Sequence, residues 1–187
     1  MLMYNKEFKK NILHLTVLIA ALLLISSEIV KSQARQIGSF SSDSYGGLST
    51  SVQAGNIIFF SANTQTYGRE LWRTDGTEAG TFMVADINPG LGGSIIGYFE
   101  YTSHVMNGII YFRADDGVNG IELWRSDGTA LGTYMVLDIV PGSGSGAPGG
   151  FTHTNNMLFF TAGTGSSLWR SDGTTAGTFS IGSFQIV

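Results

Sequence analysis

The residues best suited to chemistry in this chain are carboxylates that precede glycine. Asp75, Asp127 and Asp172 each begin an Asp-Gly-Thr triplet. Calcium takes six to eight oxygen ligands, so one carboxylate per triplet is too few unless neighbouring loops converge. In a tight turn, aspartate instead accepts backbone N–H bonds while glycine supplies positive φ. The sequence therefore favours a structural turn at each triplet, with calcium binding as the alternative.

Two further groups could hold a metal ion. Asp115 and Asp116 are adjacent acids, whereas the counterpart loop of the preceding repeat, residues 63–68, contains no acid. They are the candidate calcium ligands, although a solvated surface turn is the favoured interpretation. His104 and His153 fall at different repeat positions once the apolar runs are aligned. With no cysteine in the chain and no paired-histidine motif, the sequence predicts no zinc or haem site.

The three Asp-Gly-Thr triplets belong to a longer repeat. A thirteen-residue stretch occurs at 70–82, 122–134 and 167–179, and it holds all three tryptophans of the chain at one motif position. The tryptophans are 52 and 45 residues apart, a period typical of propeller blades. The motif positions predicted to be structural are Leu71, Trp72, Asp75, Gly76, Thr77, Gly80, Leu123, Trp124, Asp127, Gly128, Thr129, Gly132, Leu168, Trp169, Asp172, Gly173, Thr174 and Gly177.

The pattern Glu-Leu-Trp-x-x-Asp-Gly-Thr, followed by x-x-Gly-Thr, resembles the ELWxxDGT repeat family of exported bacterial proteins. That family is in turn similar to kelch-type propeller blades. The resemblance covers residues 46 to 187, and the third copy has Ser167 where the others have Glu70 and Glu122. The resemblance implies a secreted repeat protein with no established catalytic activity.

Each motif tryptophan is followed by arginine, a pair that permits two interpretations. As core, the indole packs between blades while the arginine reaches the aspartate of its own hairpin or a neighbouring carboxylate. As a binding surface, Trp72, Trp124 and Trp169 would form a ladder on which sugars stack. Identical placement in every unit favours the core interpretation.

Each repeat predicts four short strands. The first strand covers 48–53, 101–106 and 151–154 in the three repeats. A two-residue turn follows, at 55–56, 107–108 or 155–156. The second strand is apolar and covers 57–62, 109–114 and 157–162. Because these apolar runs do not alternate with polar residues, both of their faces should be buried. The third strand carries Leu-Trp-Arg, and the fourth covers 81–86, 133–138 and 178–182.

This pattern predicts an all-β, β-propeller-type fold with three four-stranded antiparallel blades. The repeats span 48–90, 91–142 and 143–187, and residues 35–47 are a candidate strand of an incomplete blade, because 37–40 and 181–184 are identical. A two-sheet β-sandwich is the alternative. Since closed propellers usually have four to eight blades, the expectation is an open fragment of a larger propeller.

The first 34 residues read as a signal peptide. Lys6, Lys9 and Lys10 precede an apolar run from 12 to 25, and small residues lead to a cleavage site after Ala34. The alternative, an uncleaved anchor, requires about 20 apolar residues to span a bilayer. Without cysteine, a lipoprotein is excluded. The sequence thus predicts a secreted or cell-surface protein without a membrane segment after cleavage.

Charge restricts the partners. The leader holds four of the ten basic residues and two of the fourteen acids, leaving six basic against twelve acidic residues, a formal charge of −6. No lysine remains in the mature chain. Such a surface repels phosphate backbones, so nucleic acid is not an expected partner. The expected partners are a protein or polysaccharide ligand and further blades of the same full-length chain.

No serine lies in a Gly-x-Ser-x-Gly elbow, and no residue is predicted to be catalytic or to bind a cofactor. The leading hypothesis is a non-enzymatic exported module with a binding or structural role at or outside the cell surface. The alternative is a carbohydrate-active propeller hydrolase or lyase whose catalytic acids lie on blades outside this chain.

Overall fold

Three β-sheets of four antiparallel strands make up the part of the chain that the structure describes. The computed structural model describes residues 51–163 and 167–182, and strand order follows chain order in each sheet. The strands are β1 Ser51–Ala54, β2 Ile57–Thr64, β3 Gly68–Thr74 and β4 Phe82–Ala85; β5 Ser103–Met106, β6 Ile109–Asp115, β7 Ile121–Ser126 and β8 Tyr134–Leu137; and β9 Gly149–Thr154, β10 Met157–Ala162, β11 Ser167–Ser171 and β12 Phe179–Gly182.

These sheets confirm the predicted all-β class and the three four-stranded antiparallel units, in place of the two sheets of a sandwich. The predicted signal peptide 1–34 and the segment 35–47 lie outside the described residues. A short 3₁₀ turn, Phe99–Tyr101, precedes the second sheet. Within residues 51–163 and 167–182, no helix has the length and hydrophobicity needed to cross a membrane.

The hairpin between the first and second strands of each sheet contains a residue with positive φ. The φ values are 62° at Gly55, 53° at Asn107 and 51° at Asn155. Asparagine and glycine tolerate this conformation, which explains why these residue types separate a polar strand from an apolar one. The register of the apolar strands then follows from the turn positions.

The pairing of the second and third strands places a phenylalanine opposite the motif tryptophan in every sheet. Phe60 pairs with Trp72, and Phe160 pairs with Trp169. The third repeat has three residues fewer than the first between these two aromatic residues, and its ladder is shorter as well. In the first sheet this ladder extends to Thr64, whereas in the third it stops at Ala162.

The hydrophobic core lies between sheets rather than within one. Between the first and second sheets, Phe59 and Leu71 pack with Ile110 and Phe112, and all four are fully buried. Between the second and third sheets, the core residues are Met106, Tyr111, Leu123, Val136, Leu158, Phe160 and Ala162. The second sheet therefore buries both of its faces, because consecutive apolar residues of β6 point to opposite sides.

The three sheets approach one another most closely along their first strands. β1 lies beside β5, and β5 lies beside β9. Side chains on the first strands of successive sheets can therefore meet directly. This arrangement determines which polar residues form contacts between repeats.

Candidate functional site

Each motif aspartate is held by its own loop. Asp75 Oδ1 accepts hydrogen bonds from the backbone N–H of Thr77 at 2.9 Å and from its hydroxyl at 2.7 Å. The hydroxyl oxygen of Thr77 in turn accepts the backbone N–H of Gly80 at 3.0 Å. The same three bonds recur in the loops of Asp127 and Asp172.

These bonds lower the pKa of the motif aspartates. The hydroxyl of the following threonine is the largest cause of a lowered pKa at Asp75, Asp127 and Asp172. All three carboxylates are exposed and accept donors from their own turns. Each aspartate thus stabilises the turn of its own hairpin, and its carboxylate is ionised at neutral pH.

The second glycine of the motif leaves space for the aspartate. A Cβ atom at Gly132 would overlap Asp127 Oδ1, and Cβ atoms at the counterparts Gly80 and Gly177 would overlap their own aspartates in the same way. None of the three has positive φ, so steric space and not backbone conformation excludes a side chain here.

We therefore expect Gly132→Ala to displace Asp127 from its loop and to lower the free energy of unfolding by about 1–3 kcal/mol, the usual cost of overpacking. The matched control is Gly149→Ala, because Gly149 also lacks positive φ and a Cβ there would have no neighbour within 4 Å. Urea denaturation of both variants is the measurement. Equal stability of the two variants would contradict the steric role of Gly132.

The motif arginines connect one repeat to the next. Arg73 donates to the carbonyl oxygen of Gly128 at 3.3 Å, and Arg125 donates to that of Gly173 at 3.4 Å. Arg73 Nη2 also lies 4.0 Å from Oδ2 of Asp75, the partner expected from the sequence. The guanidinium carbon of Arg73 also lies 5.1 Å from the ring centroid of Phe82. The arginines thus reach mainly the glycine carbonyl of the following repeat and an aromatic ring of their own sheet.

The motif tryptophans lie against the cores. Trp72 is buried with Phe60 and Ala62, while Trp124 packs against the core between the first two sheets and Trp169 against the core between the second and third. Trp124 and Trp169 are half-buried. The three indoles accordingly occupy packing positions rather than an open ladder for sugars.

The motif glutamates bind the segments that connect one sheet to the next. The sequence alone assigns them no role. Glu122 is fully buried, and its carboxylate accepts the backbone N–H groups of Ile139 at 2.8 Å, Val140 at 3.4 Å and Gly146 at 2.6 Å. These residues follow β8 and lead to the third sheet. Burial raises the pKa of Glu122, against the lowering effect of the three N–H groups.

Glu70 has the same function at the first connection. It accepts N–H groups from Ile87, Asn88 and Ser94, together with the Ser94 hydroxyl. Burial likewise raises its pKa. The third copy has Ser167 at this position, and the residues after Gly182 lie outside the described part of the chain. Both connections between sheets within the described residues are thus held by a motif glutamate.

The candidate calcium ligands Asp115 and Asp116 both cap their own loop. Asp115 Oδ1 accepts the N–H of Gly117 at 2.7 Å, and Asp116 accepts those of Val118 and Asn119 at 2.9 and 2.7 Å. Burial alone would raise the pKa of Asp116, but the N–H groups of Asn119 and Val118 lower it. Within the described residues, no group of three or more His, Cys, Asp or Glu side chains could hold a metal ion.

Two histidines from different repeat positions lie in contact in the structure. His104 Nε2 and His153 Nδ1 lie 2.7 Å apart, across β5 and β9. Their different repeat positions do not keep these histidines apart, because facing sides of neighbouring sheets present residues one position out of register. His104 pairs with Tyr111 and His153 with Leu158, and both partners belong to the core between these sheets.

Comparison of the chain with protein-family models and with curated proteins finds no match.

Proposed function

We propose that this chain is an exported, non-enzymatic β-propeller-type repeat protein that acts as a binding or structural module at or outside the cell surface. The observation that carries the proposal is that one set of contacts recurs at both junctions between sheets. At each junction, an arginine bonds to the glycine carbonyl of the next repeat, and a buried glutamate holds the connecting segment. The polar residues of the motif thus serve the stacking of repeats, as the resemblance to the ELWxxDGT family implies.

A further blade of the same full-length protein is the first proposed partner. The outer face of the third sheet carries Phe159 and Leu168, which are half-buried, and Ile181, which is 45% exposed. The counterparts of Phe159 in the other two sheets, Phe59 and Tyr111, are buried by the sheet that follows them. A fourth blade would cover this face in the same way, as expected for an open propeller frame.

The remaining support comes from the sequence. The leader directs export, and the mature chain is acidic and free of lysine, which favours a protein or polysaccharide ligand over nucleic acid. The motif aspartates have a turn-forming role, because each accepts hydrogen bonds from its own turn. The module would act through surfaces outside these loops.

Expression of the full chain in a bacterial host, followed by cell fractionation and intact-mass analysis, tests the export. The expected product lies outside the cytoplasm and begins at Arg35. The matched control is Ala34→Leu, which replaces the small residue read at the cleavage site and should leave the precursor uncleaved. Exported material that retains Met1 in the parent chain would contradict the proposal.

A further inference from the structure

The histidine pair lies on the first strands of the second and third sheets, where these sheets approach most closely. The two ring centroids are 5.0 Å apart and the ring planes differ by 57°. His153 is exposed and His104 is half-buried, so solvent reaches the pair. In the turns that follow these two strands, Asn107 Nδ2 donates to Asn156 Oδ1 at 3.1 Å, which gives this junction a second polar contact between side chains.

The stacking of sheets does not require histidine at these positions. Aligned by strand register, the counterpart of His104 in the first sheet is Val52, and the counterpart of His153 in the second sheet is Val105. Both valines pack against the core between the first and second sheets. One junction therefore has an apolar contact where the other has two imidazoles, and the histidines break a symmetry that the rest of the motif maintains.

We propose that His104 and His153 form a two-imidazole site for a divalent late first-row transition metal ion, of the class of Zn²⁺ and Cu²⁺. Neutral imidazole is a good ligand for these ions, and Cu²⁺ binds such sites more tightly than Zn²⁺. The nitrogens that would bind the metal are His104 Nε2 and His153 Nδ1, which already face each other.

Metal binding requires a small rearrangement. In the hydrogen bond between the rings, one nitrogen carries a proton and the other has a lone pair. If the donating ring changes tautomer, its proton moves to its other nitrogen, which faces away from the partner ring. Both facing nitrogens then present lone pairs to the ion, and no proton is released. Two nitrogens at about 2.1 Å from a tetrahedral zinc ion lie about 3.4 Å apart. The present separation of 2.7 Å must therefore open slightly, which the partial exposure of both rings allows.

The other coordination positions would be filled by water, because no third His, Cys, Asp or Glu joins the pair among the described residues. The proposed site is thus open to solvent, with two protein ligands from two different repeats.

The test is titration of the untagged full chain with ZnCl₂ and, separately, CuCl₂ by calorimetry, together with electron paramagnetic resonance of the Cu²⁺ complex. The parent is expected to bind one ion per chain at this site, with hyperfine structure from two imidazole nitrogens. The matched variant carries His104→Val and His153→Val, the residues of the first junction, and should bind at least tenfold more weakly with an unchanged or higher melting temperature.

A second control, Asp115→Asn with Asp116→Asn, should bind the metals as the parent does. The proposal is overturned if the parent binds neither ion, if the double valine variant binds them equally well, or if the copper spectrum lacks nitrogen coupling. The spectrum of the parent needs no variant, so the proposal can be judged even if the valine variant does not fold.

Discussion

Phe59→Ala is expected to lower the free energy of unfolding by about 3–5 kcal/mol, the usual cost of removing a buried phenylalanine. Phe59 is fully buried in the core between the first and second sheets. The matched variant is Phe159→Ala, at the same position of the third sheet, where the side chain is half-buried. Its removal should cost about 1 kcal/mol, because no sheet within the described residues closes over it and most of the cavity would be open to water.

Urea denaturation of the two variants measures this difference. The slope of the free energy against urea should stay the same in both, which would show that the unfolded states are comparable. Equal losses in the two variants would mean that the sheets do not bury one another in the observed order. The test uses one residue type at one repeat position, so only the presence of a neighbouring sheet differs.

Glu122→Gln is the second change with a large expected effect. The carboxylate of Glu122 accepts three backbone N–H groups within the protein interior, whereas the amide presents one oxygen and two N–H donors. At least one buried N–H then loses its acceptor and faces another donor, at an expected cost of about 2–4 kcal/mol. Thermal or urea denaturation at neutral pH measures this loss of stability. The control is Glu78→Gln, at an exposed glutamate, which should change the free energy of unfolding by less than about 0.5 kcal/mol.

The pH dependence gives an independent readout of the same residue. Burial raises the pKa of Glu122 above 4.5, so in the folded state the carboxyl holds its proton to a higher pH than in the unfolded state. Its contribution to stability is therefore greatest below pH 4.5 and declines as the pH rises through the folded pKa. Glu122→Gln should remove the part of the fall in stability with rising pH that is due to Glu122, while the part due to Glu70 remains. An unchanged pH profile in the variant would contradict the buried state of Glu122.

The secondary structure of this chain follows from local sequence signals. The apolar runs, the turn pairs at Gly55, Asn107 and Asn155, and the repeated Leu-Trp-Arg segment predict the strands and their order within each sheet. These signals act between residues close in sequence, where strand period and turn chemistry are sufficient. The shortened ladder of the third sheet was not predicted, because strand ends depend on how far both partners can continue the pairing.

Contacts between repeats are harder to predict from the sequence. Comparing like positions places His104 and His153 apart, but neighbouring sheets meet through opposite faces, so residues that touch differ by one position in the repeat. Arg73 reaches Asp75 of its own turn, as the sequence predicts, but its hydrogen bond to Gly128 of the next repeat was not predicted. The function of Glu122 depends on backbone N–H groups up to 24 residues away, and no local pattern identifies these partners.

The most direct test of the stacking of repeats is the nuclear Overhauser effect between the imidazole protons of His104 and His153, measured on the histidine-labelled protein. The two rings belong to different sheets, and their centroids lie 5.0 Å apart. The stacked arrangement predicts a strong cross-peak between them, and its loss when either histidine is replaced by valine would assign it. Ring protons of His153 that show cross-peaks only to residues of β9 and β10 would contradict the arrangement.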